Sequence, residues 1–252
     1  MRQGRRLLLA LALLLLAGAG LSRLGEPEGE LVAEDVAQAS SSAPALAPPL
    51  PLNWQLTASS QRALFQRLDQ ADQLWLPRVE RLPGGGQRIT YRRRLGEKPL
   101  TASALRQLIA NPPSYSRERE AISLLLEQLE RSGVVLVVRQ PKQKGAAGEW
   151  NPRRGELRLR PDVASKGTVN FTRVLNHEAI HVAQSCKGGS IHARPQLLGL
   201  SRSLNASGRR HLQQPLYAKA SSEQRGLEEE AYANQEQLNL GWELLARHCR
   251  RR

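Results

Sequence analysis

The sequence predicts an α+β fold, in which helices pack on a small, twisted and mainly antiparallel sheet. Apolar residues recur at helical spacing in several segments, most clearly from Ser116 to Arg131, and this predicts amphipathic helices. Shorter segments are continuously apolar or alternate between apolar and charged residues, and two of them form a predicted hairpin from Glu149 to Arg160. The contents of 40% hydrophobic and 24% charged residues are typical of a folded domain.

The N-terminus has the features of a secretory signal peptide. Arg2, Arg5 and Arg6 precede an apolar run from Leu7 to Ala17, and Ala17-Gly18-Ala19 resembles a signal peptidase site. We expect cleavage after residue 19, which predicts an exported protein, periplasmic or extracellular. An uncleaved segment would instead anchor the protein in a membrane, although the apolar run is shorter than the about 20 residues that a span needs.

The rest of the chain divides into a predicted linker and one folded domain. Residues 20–52 are rich in Ala, Ser, Pro and Glu, a composition that cannot bury a core, and the domain is expected over residues 53–252. Its predicted elements are a helix that starts near Thr57 and ends at Pro83, a strand over 87–95, a short helix after Thr101, the helix from Ser116 to Arg131, a strand from Val134 to Val138, the hairpin, a helix from Thr168 or Asn170, a mostly looped segment over 187–222, and a long helix from Glu223 to Arg247.

Charge and cysteine content restrict the environment and the partners. The formal net charge is +14, which would allow binding to an anionic surface of the cell envelope, but the spread of the basic residues along the chain favours a generally basic surface. A nucleic acid is not expected, because no aromatic residues interleave with the basic ones. Export would place Cys186 and Cys249 in an oxidising compartment and favours a disulfide between them over two free buried thiols.

The sequence His177-Glu178-Ala179-Ile180-His181 is a candidate metal site on a helix. Residues four apart lie on the same helix face, so the two imidazoles can share one zinc ion, while the adjacent Glu178 can act as a general base on a water. The alternative is an ordinary helix with two surface histidines. The apolar residues around the motif favour burial, which is costly for these groups without a partner such as a metal.

A catalytic zinc needs a third protein ligand. Lys187 occupies the position ten residues after the first histidine, which excludes a third histidine there, and no Asp follows Asp162. The run Glu228-Glu229-Glu230 on the predicted long helix remains as a source of the ligand, although three consecutive acids could also form a solvated helix face.

The segment from Asn176 to Gln184, followed by Glu228-x-x-Ala231, resembles the gluzincin group of zinc metallopeptidases, of a small exported bacterial type. The match covers residues 149–240. The resemblance implies a zincin-like domain with one Zn²⁺ held by His177, His181 and Glu228. It leaves Glu230 as an alternative ligand, or as a side chain that fixes a ligating histidine from behind. Gln184 follows His181 by three residues on nearly the same helix face, so it could support the metal site, contact a substrate or be an ordinary polar position of the helix.

The resemblance also implies a peptidase mechanism. Glu178 would be the general base. Tyr232 is a candidate for a donor to the oxyanion, as are Tyr217, His192 and His211, although a core position is the favoured role of Tyr232. An edge strand just before the zinc helix, expected at Glu156 to Arg160, would bind a peptide or protein substrate. Two other functions stay open: a non-catalytic basic module that binds the envelope and retains the fold, and a cell-wall amidase.

Overall fold

The computed structural model describes residues 47–83, 85–93 and 98–249, and the backbone of residues 31–36. The predicted signal peptide, residues 1–19, lies outside the described residues. The described chain contains the strands β1 Leu31–Val36, β2 Arg78–Arg81, β3 Gln87–Arg92, β4 Val135–Val138, β5 Gly148–Asn151 and β6 Glu156–Leu159, and the helices α1 Gln61–Trp75, α2 Ala102–Ala110, α3 Ser116–Arg131, α4 Thr168–Lys187, α5 Ala206–Leu212, α6 Ser222–Asn234 and α7 Leu240–His248. The predicted α+β class is confirmed.

The strands form two small sheets rather than one. In the first sheet, β3 lies between β1, which is parallel to it, and β2, which is antiparallel. In the second sheet, β6 lies between the parallel β4 and the antiparallel β5. The hairpin of β5 and β6 was predicted correctly, but the assignment of Glu156 to Arg160 as the edge strand was wrong. The edge strand next to helix α4, which carries the predicted metal motif, is β5.

Helix α4 is the centre of the fold. Fourteen of its 20 residues are buried, and it packs against α3, α6, α7 and β5. The surrounding core is built mainly from Leu, Val, Ile and Ala, as the low aromatic content predicted, and Phe171 on α4 is its one fully buried aromatic side chain in the described chain. The residues of the predicted metal motif therefore lie on the most constrained helix of the domain.

The start of α4 is fixed by a side chain from a distant helix. Asp72 on α1 accepts hydrogen bonds from the backbone N–H of Thr168 at 2.8 Å and from its Oγ1 at 2.6 Å. This contact satisfies a backbone donor that the first turn of a helix leaves without a partner. Gly167 permits the approach, because it has φ +88° and a Cβ there would lie 2.6 Å from Asp72 Oδ1. The contact fixes where the metal motif begins along the helix.

The C-terminal part of the chain is more broken than predicted. The single helix predicted from Glu223 to Arg247 is two helices, α6 and α7, joined by a turn in which Asn239 has a φ of 65°. That turn is held by Asn176, whose Nδ2 donates to the carbonyls of Gln235 and Gln237, both at 2.9 Å. The predicted loop over 187–222 also contains α5 and a 3₁₀ turn, Pro215–Tyr217.

The predicted disulfide is confirmed: Cys186 is bonded to Cys249, and their Cα atoms are 5.1 Å apart. It links the C-terminal ends of α4 and α7. The last residues of the predicted linker also belong to the packed structure, because Leu50 is buried in the core and its backbone N–H donates to the carbonyl of Pro161. None of the described helices combines the length and apolar character that crossing a membrane requires.

Candidate metal centre

Three side chains from two helices converge at one point in the structure. His177 and His181 on α4 have their Nε2 atoms 3.1 Å apart, and Oε2 of Glu228 on α6 lies 3.4 Å and 3.5 Å from them, respectively. Among the described residues, these three form the one group of His, Cys, Asp or Glu side chains that could hold a metal ion.

The size and chemistry of this triangle fit a metal ion. Around a tetrahedral zinc with bonds of about 2.0–2.1 Å, the donor atoms lie about 3.3–3.4 Å apart, close to the observed separations. The donors come from two imidazoles and one carboxylate, a set that such an ion accepts. Three protein donors would leave a fourth position open toward the cleft, as catalytic sites do. His177, His181 and Glu228 could therefore hold one metal ion.

Gln184 orients the second histidine. Its Oε1 lies 2.8 Å from Nδ1 of His181, so Nδ1 is the protonated nitrogen and Nε2 is left to face the other two donors. The Nε2 of Gln184 donates to the carbonyl of Leu227 at 3.1 Å, which also ties α4 to the α6 residue just before Glu228. Gln184 thus lies behind the candidate ligands and contacts both helices that carry them.

Glu230 does not fit its alternative assignment as the third ligand. It is 1% exposed, and its carboxylate accepts hydrogen bonds from three consecutive backbone N–H groups, those of Leu198, Gly199 and Leu200, at 2.7–2.9 Å. It also accepts a bond from Nε2 of Gln184 at 3.0 Å. Glu230 therefore anchors the loop after α4 and supports His181 indirectly, while Glu228, about half a turn earlier, faces the histidines.

Charges at the three donors favour a cation between them. Burial lowers the pKa of His177. Burial opposes protonation of His181 too, but the charge and hydrogen bond of Glu228 outweigh it and raise the pKa of His181 to about 9. Although burial alone would raise it, the pKa of Glu228 lies well below its usual range because both histidines interact with it. Glu228 therefore carries the negative charge that complements a cation held by two imidazoles.

Glu178 lies beside this group and against β5. The backbone N–H of Trp150 hydrogen-bonds its carboxylate, and a Cβ on Gly148 would lie 2.6 Å from its Cγ and its Oε1. Burial, with smaller contributions from Glu228 and Glu149, raises the pKa of Glu178 to about 8. A carboxyl group whose pKa is close to neutrality is suited to accept and return a proton.

Two tyrosine hydroxyls border the same group. Tyr217 donates to Oε2 of Glu228 at 3.2 Å, and its oxygen lies 2.8 Å from the hydroxyl of Tyr232. The ring of Tyr232 packs 4.4 Å from that of His177 and stacks on His211 at 5.3 Å. Burial raises the pKa of Tyr232 to about 12 and that of Tyr217 further, so both stay protonated and able to donate.

The predicted donor Tyr232 thus lies beside the site, but Tyr217 is the hydroxyl that reaches a candidate ligand. Its place in the 3₁₀ turn after α5 has no clear signal in the sequence. His192, another candidate, lies elsewhere: its Nδ1 donates to the carbonyl of Pro152 at 2.7 Å and fixes the hairpin of β5 and β6 to the loop after α4.

A cleft of about 510 Å³ opens over these residues, and β5 forms one of its walls. The backbone N–H of Arg160 donates to the carbonyl of Ala147, so the backbone groups of Gly148 and Trp150 point away from β6 and toward the cleft. Sequence reasoning missed β5 as the edge strand. Gly148 next to the predicted hairpin was the available signal, because a glycine in a strand often marks a place where another group packs closely against the backbone.

Comparison with models of protein families, with characterised proteins and with solved structures finds no match to this chain. The case for a function therefore depends on the residues and their geometry.

Proposed function

We propose that the protein is a zinc-dependent hydrolase, a gluzincin-like peptidase that cleaves peptide bonds. The observation that carries this proposal is the convergence of His177, His181 and Glu228 beside the buried Glu178, under an unpaired strand edge. Two imidazoles and a carboxylate are a ligand set of known catalytic zinc sites. Zinc, when bound, would polarise the substrate carbonyl and lower the pKa of a water to about 7.

The chain's own residues would supply the other functions that peptide hydrolysis needs. Glu178 would accept a proton from the attacking water and return it to the leaving amine, with its carboxylate held by the Trp150 N–H. The hydroxyls of Tyr217 and Tyr232 are placed to stabilise negative charge on the carbonyl oxygen. The backbone groups of Gly148 and Trp150 that point away from β6, other than the Trp150 N–H that binds Glu178, would pair with an extended substrate, as an added strand does.

A burial argument favours an enzyme over the non-catalytic envelope-binding module. Binding to an anionic surface does not require a carboxyl group at the position of Glu178, and burying one is costly. The cell-wall amidase would use the same residues on a different amide, and substrate tests separate it from a peptidase. The disulfide fits the oxidising compartment that export would provide.

The proposal is tested by elemental analysis of the purified protein and by mass spectrometry of incubated peptide mixtures. We expect about one zinc per chain in the wild type and in Glu178→Gln, and a loss of zinc in Glu228→Gln. Peptide cleavage should be present in the wild type and absent from both variants. Glu229→Gln is the matched control, because Glu229 is the next residue on α6 and contacts Arg202 on the outside. A protein that binds no zinc after metal-replete purification would refute the proposal.

A further inference from the structure

The two ends of the cleft differ in charge. Gly148 of β5 lies against Glu178, and the indole of Trp150 donates to Oγ of Ser185, so β5 and α4 run in the same direction. The cleft wall near the N-terminal half of α4 carries Arg160, Lys166 and Arg173, which we call the basic end. The opposite end, near Gln184, is lined by Trp150, Pro152, Pro195 and Leu227, which we call the apolar end.

Arg173 at the basic end has a long and solvent-exposed ion pair. Among the described residues it pairs with Glu236, at 3.5 Å, and both side chains are about half exposed to solvent. Ion pairs of that kind contribute little and exchange readily for a better partner. The neighbours of Arg173 lie beside another acid: Arg160 binds both carboxylate oxygens of Asp162, and Nζ of Lys166 lies 3.6 Å from the same carboxylate.

Arg173 is also the cation best placed to act near the metal centre. It precedes His177 by four residues on α4, so it lies on the same helix face, about 6 Å along the axis. Its charge is felt by His211, whose pKa is lowered by burial and then by Arg173 and Arg210. His211 in turn stacks on Tyr232 beside the candidate ligands.

The direction of the substrate follows from β5. An extended chain that pairs antiparallel with β5, the more stable arrangement, runs from the Asn151 side to the Gly148 side. Its N-terminal half then lies at the apolar end and its C-terminal half at the basic end. Because an extended residue spans about 3.3 Å, the residue one or two places after the cleaved bond reaches Arg173.

We infer that the substrate carries a carboxylate one or two residues after the cleaved bond, and that Arg173 binds it with Arg160 and Lys166 as supporting cations. This inference rests on the proposed hydrolase function. Two kinds of substrate can supply this carboxylate: a short peptide, through its terminal α-carboxylate, or a longer peptide, through the side chain of an internal acidic residue. Apolar side chains would be preferred before the cleaved bond.

The test is equilibrium binding to the zinc-loaded Glu178→Gln protein, measured by fluorescence anisotropy with three labelled peptides that share an apolar N-terminal half. The first ends in a free carboxylate one or two neutral residues after the central bond, the second has Asp at that place and an amidated end, and the third is neutral and amidated. We expect the first or the second to bind at least about ten times more tightly than the third, and which of them does so identifies the source.

The preference should disappear when Arg173→Gln is added and should partly survive Arg173→Lys, which keeps the charge. Arg131→Gln is the matched control, because Arg131 is an exposed arginine of α3 outside the cleft. Thermal melting of each variant separates loss of binding from loss of folding. Equal binding of all three peptides, or a carboxylate preference that survives Arg173→Gln, would overturn the inference.

Cleavage by the wild type is measured separately with the same peptides, so that the two proposals fail in different ways. Carboxylate-dependent binding without cleavage would support the anion site and refute the hydrolase. Cleavage of all three peptides at equal rates would support the hydrolase and refute the anion site.

Discussion

The side-chain amide of Gln184 donates a hydrogen bond of 3.0 Å to the carboxylate of Glu230. Because Gln184 also holds Nδ1 of His181, the bond connects a candidate metal ligand to the loop that Glu230 anchors through residues 198–200. Glu230, the alternative third ligand on sequence grounds, therefore supports the candidate group of His177, His181 and Glu228.

This arrangement predicts different results for substitutions of Glu228 and of Glu230. Glu230→Gln should retain about one metal ion per chain, because it leaves the three donor atoms in place. Its amide can no longer accept from every N–H around it, so the free energy of unfolding should fall by about 2–4 kcal/mol. The metal affinity should fall by about ten- to a hundredfold, because the support of His181 is weakened.

Chemical denaturation and metal titration measure both effects. The control is Glu229→Gln, at a partly exposed position between the two acids, which should change neither quantity appreciably. Loss of the metal in Glu230→Gln together with its retention in Glu228→Gln would exchange the roles assigned to these two residues.

The close packing of Gly148 against Glu178 predicts that a substitution at position 148 impairs catalysis but not metal binding. In Gly148→Ala the new methyl group would lie 2.6 Å from Cγ and Oε1 of Glu178, so the carboxylate has to move. The three atoms nearest to the new methyl group all belong to Glu178 and none to a candidate ligand, so binding of about one zinc should persist. Peptide hydrolysis should fall by about a hundredfold or more, because a displaced base costs catalysis steeply.

The matched control is Gly226→Ala, in helix α6. A Cβ there meets the end of the Arg202 side chain at 3.3 Å and Leu197 at an ordinary contact distance of 3.8 Å, and alanine favours a helix by up to about 1 kcal/mol over glycine. It should keep its activity. Full activity in Gly148→Ala, measured by peptide turnover, would show that Glu178 does not need its present position.

Asn176 predicts a stability effect next to the metal motif. Its side chain donates to two carbonyls of the turn between α6 and α7 and accepts from the N–H of Gly241 at 2.8 Å. Asn176→Ala would leave these buried groups without partners, and urea denaturation should show a loss of about 2–4 kcal/mol.

Asn170→Ala on the same helix is the comparison, because the amide of Asn170 makes one long hydrogen bond of 3.5 Å at a half-buried position. It should cost less than about 1 kcal/mol. Equal losses in the two variants would mean that the three contacts of Asn176 contribute little to holding the turn.

The local pattern of the sequence was sufficient for much of this structure. The helix from Ser116 to Arg131 has the predicted bounds, because its apolar positions repeat at helical spacing and Gly133 follows its end. The hairpin of β5 and β6 and the metal-motif helix also follow from short-range signals, and the partner of Cys186 follows from the presence of two cysteines in the sequence.

The misplaced elements depend on contacts between residues far apart in the chain. Helical propensity runs on through the turn before α7, which is broken because Asn176, about 60 residues earlier, holds its carbonyls. The edge position of β5 depends on β4 covering the other side of β6, which no local pattern shows. Glu228 and Glu230 differ only in the direction in which they leave α6, and packing against α4 decides that.

Glu156 on the central strand β6 predicts how stability changes with pH. Burial opposes its ionisation, but the Nε of Arg158, at 2.6 Å, and the charges of Arg158, Arg139 and Arg154 outweigh burial and lower its pKa. A carboxyl group whose pKa is lower in the folded state stabilises the fold above its unfolded pKa, about 4.3. That stabilisation is lost as the pH falls through the folded value.

Glu156→Gln should therefore destabilise the protein most at neutral pH, by about 3 kcal/mol, because Arg158 is left buried with only Glu149 at 3.5 Å. The difference from the wild type should shrink as the pH is lowered from 7 to 3. Urea denaturation at several pH values measures it, with Glu127→Gln, from an exposed pair with Arg131, as a control that changes little. A difference that stays constant down to pH 3 would mean that ionised Glu156 does not stabilise the strand that holds β5 against Glu178.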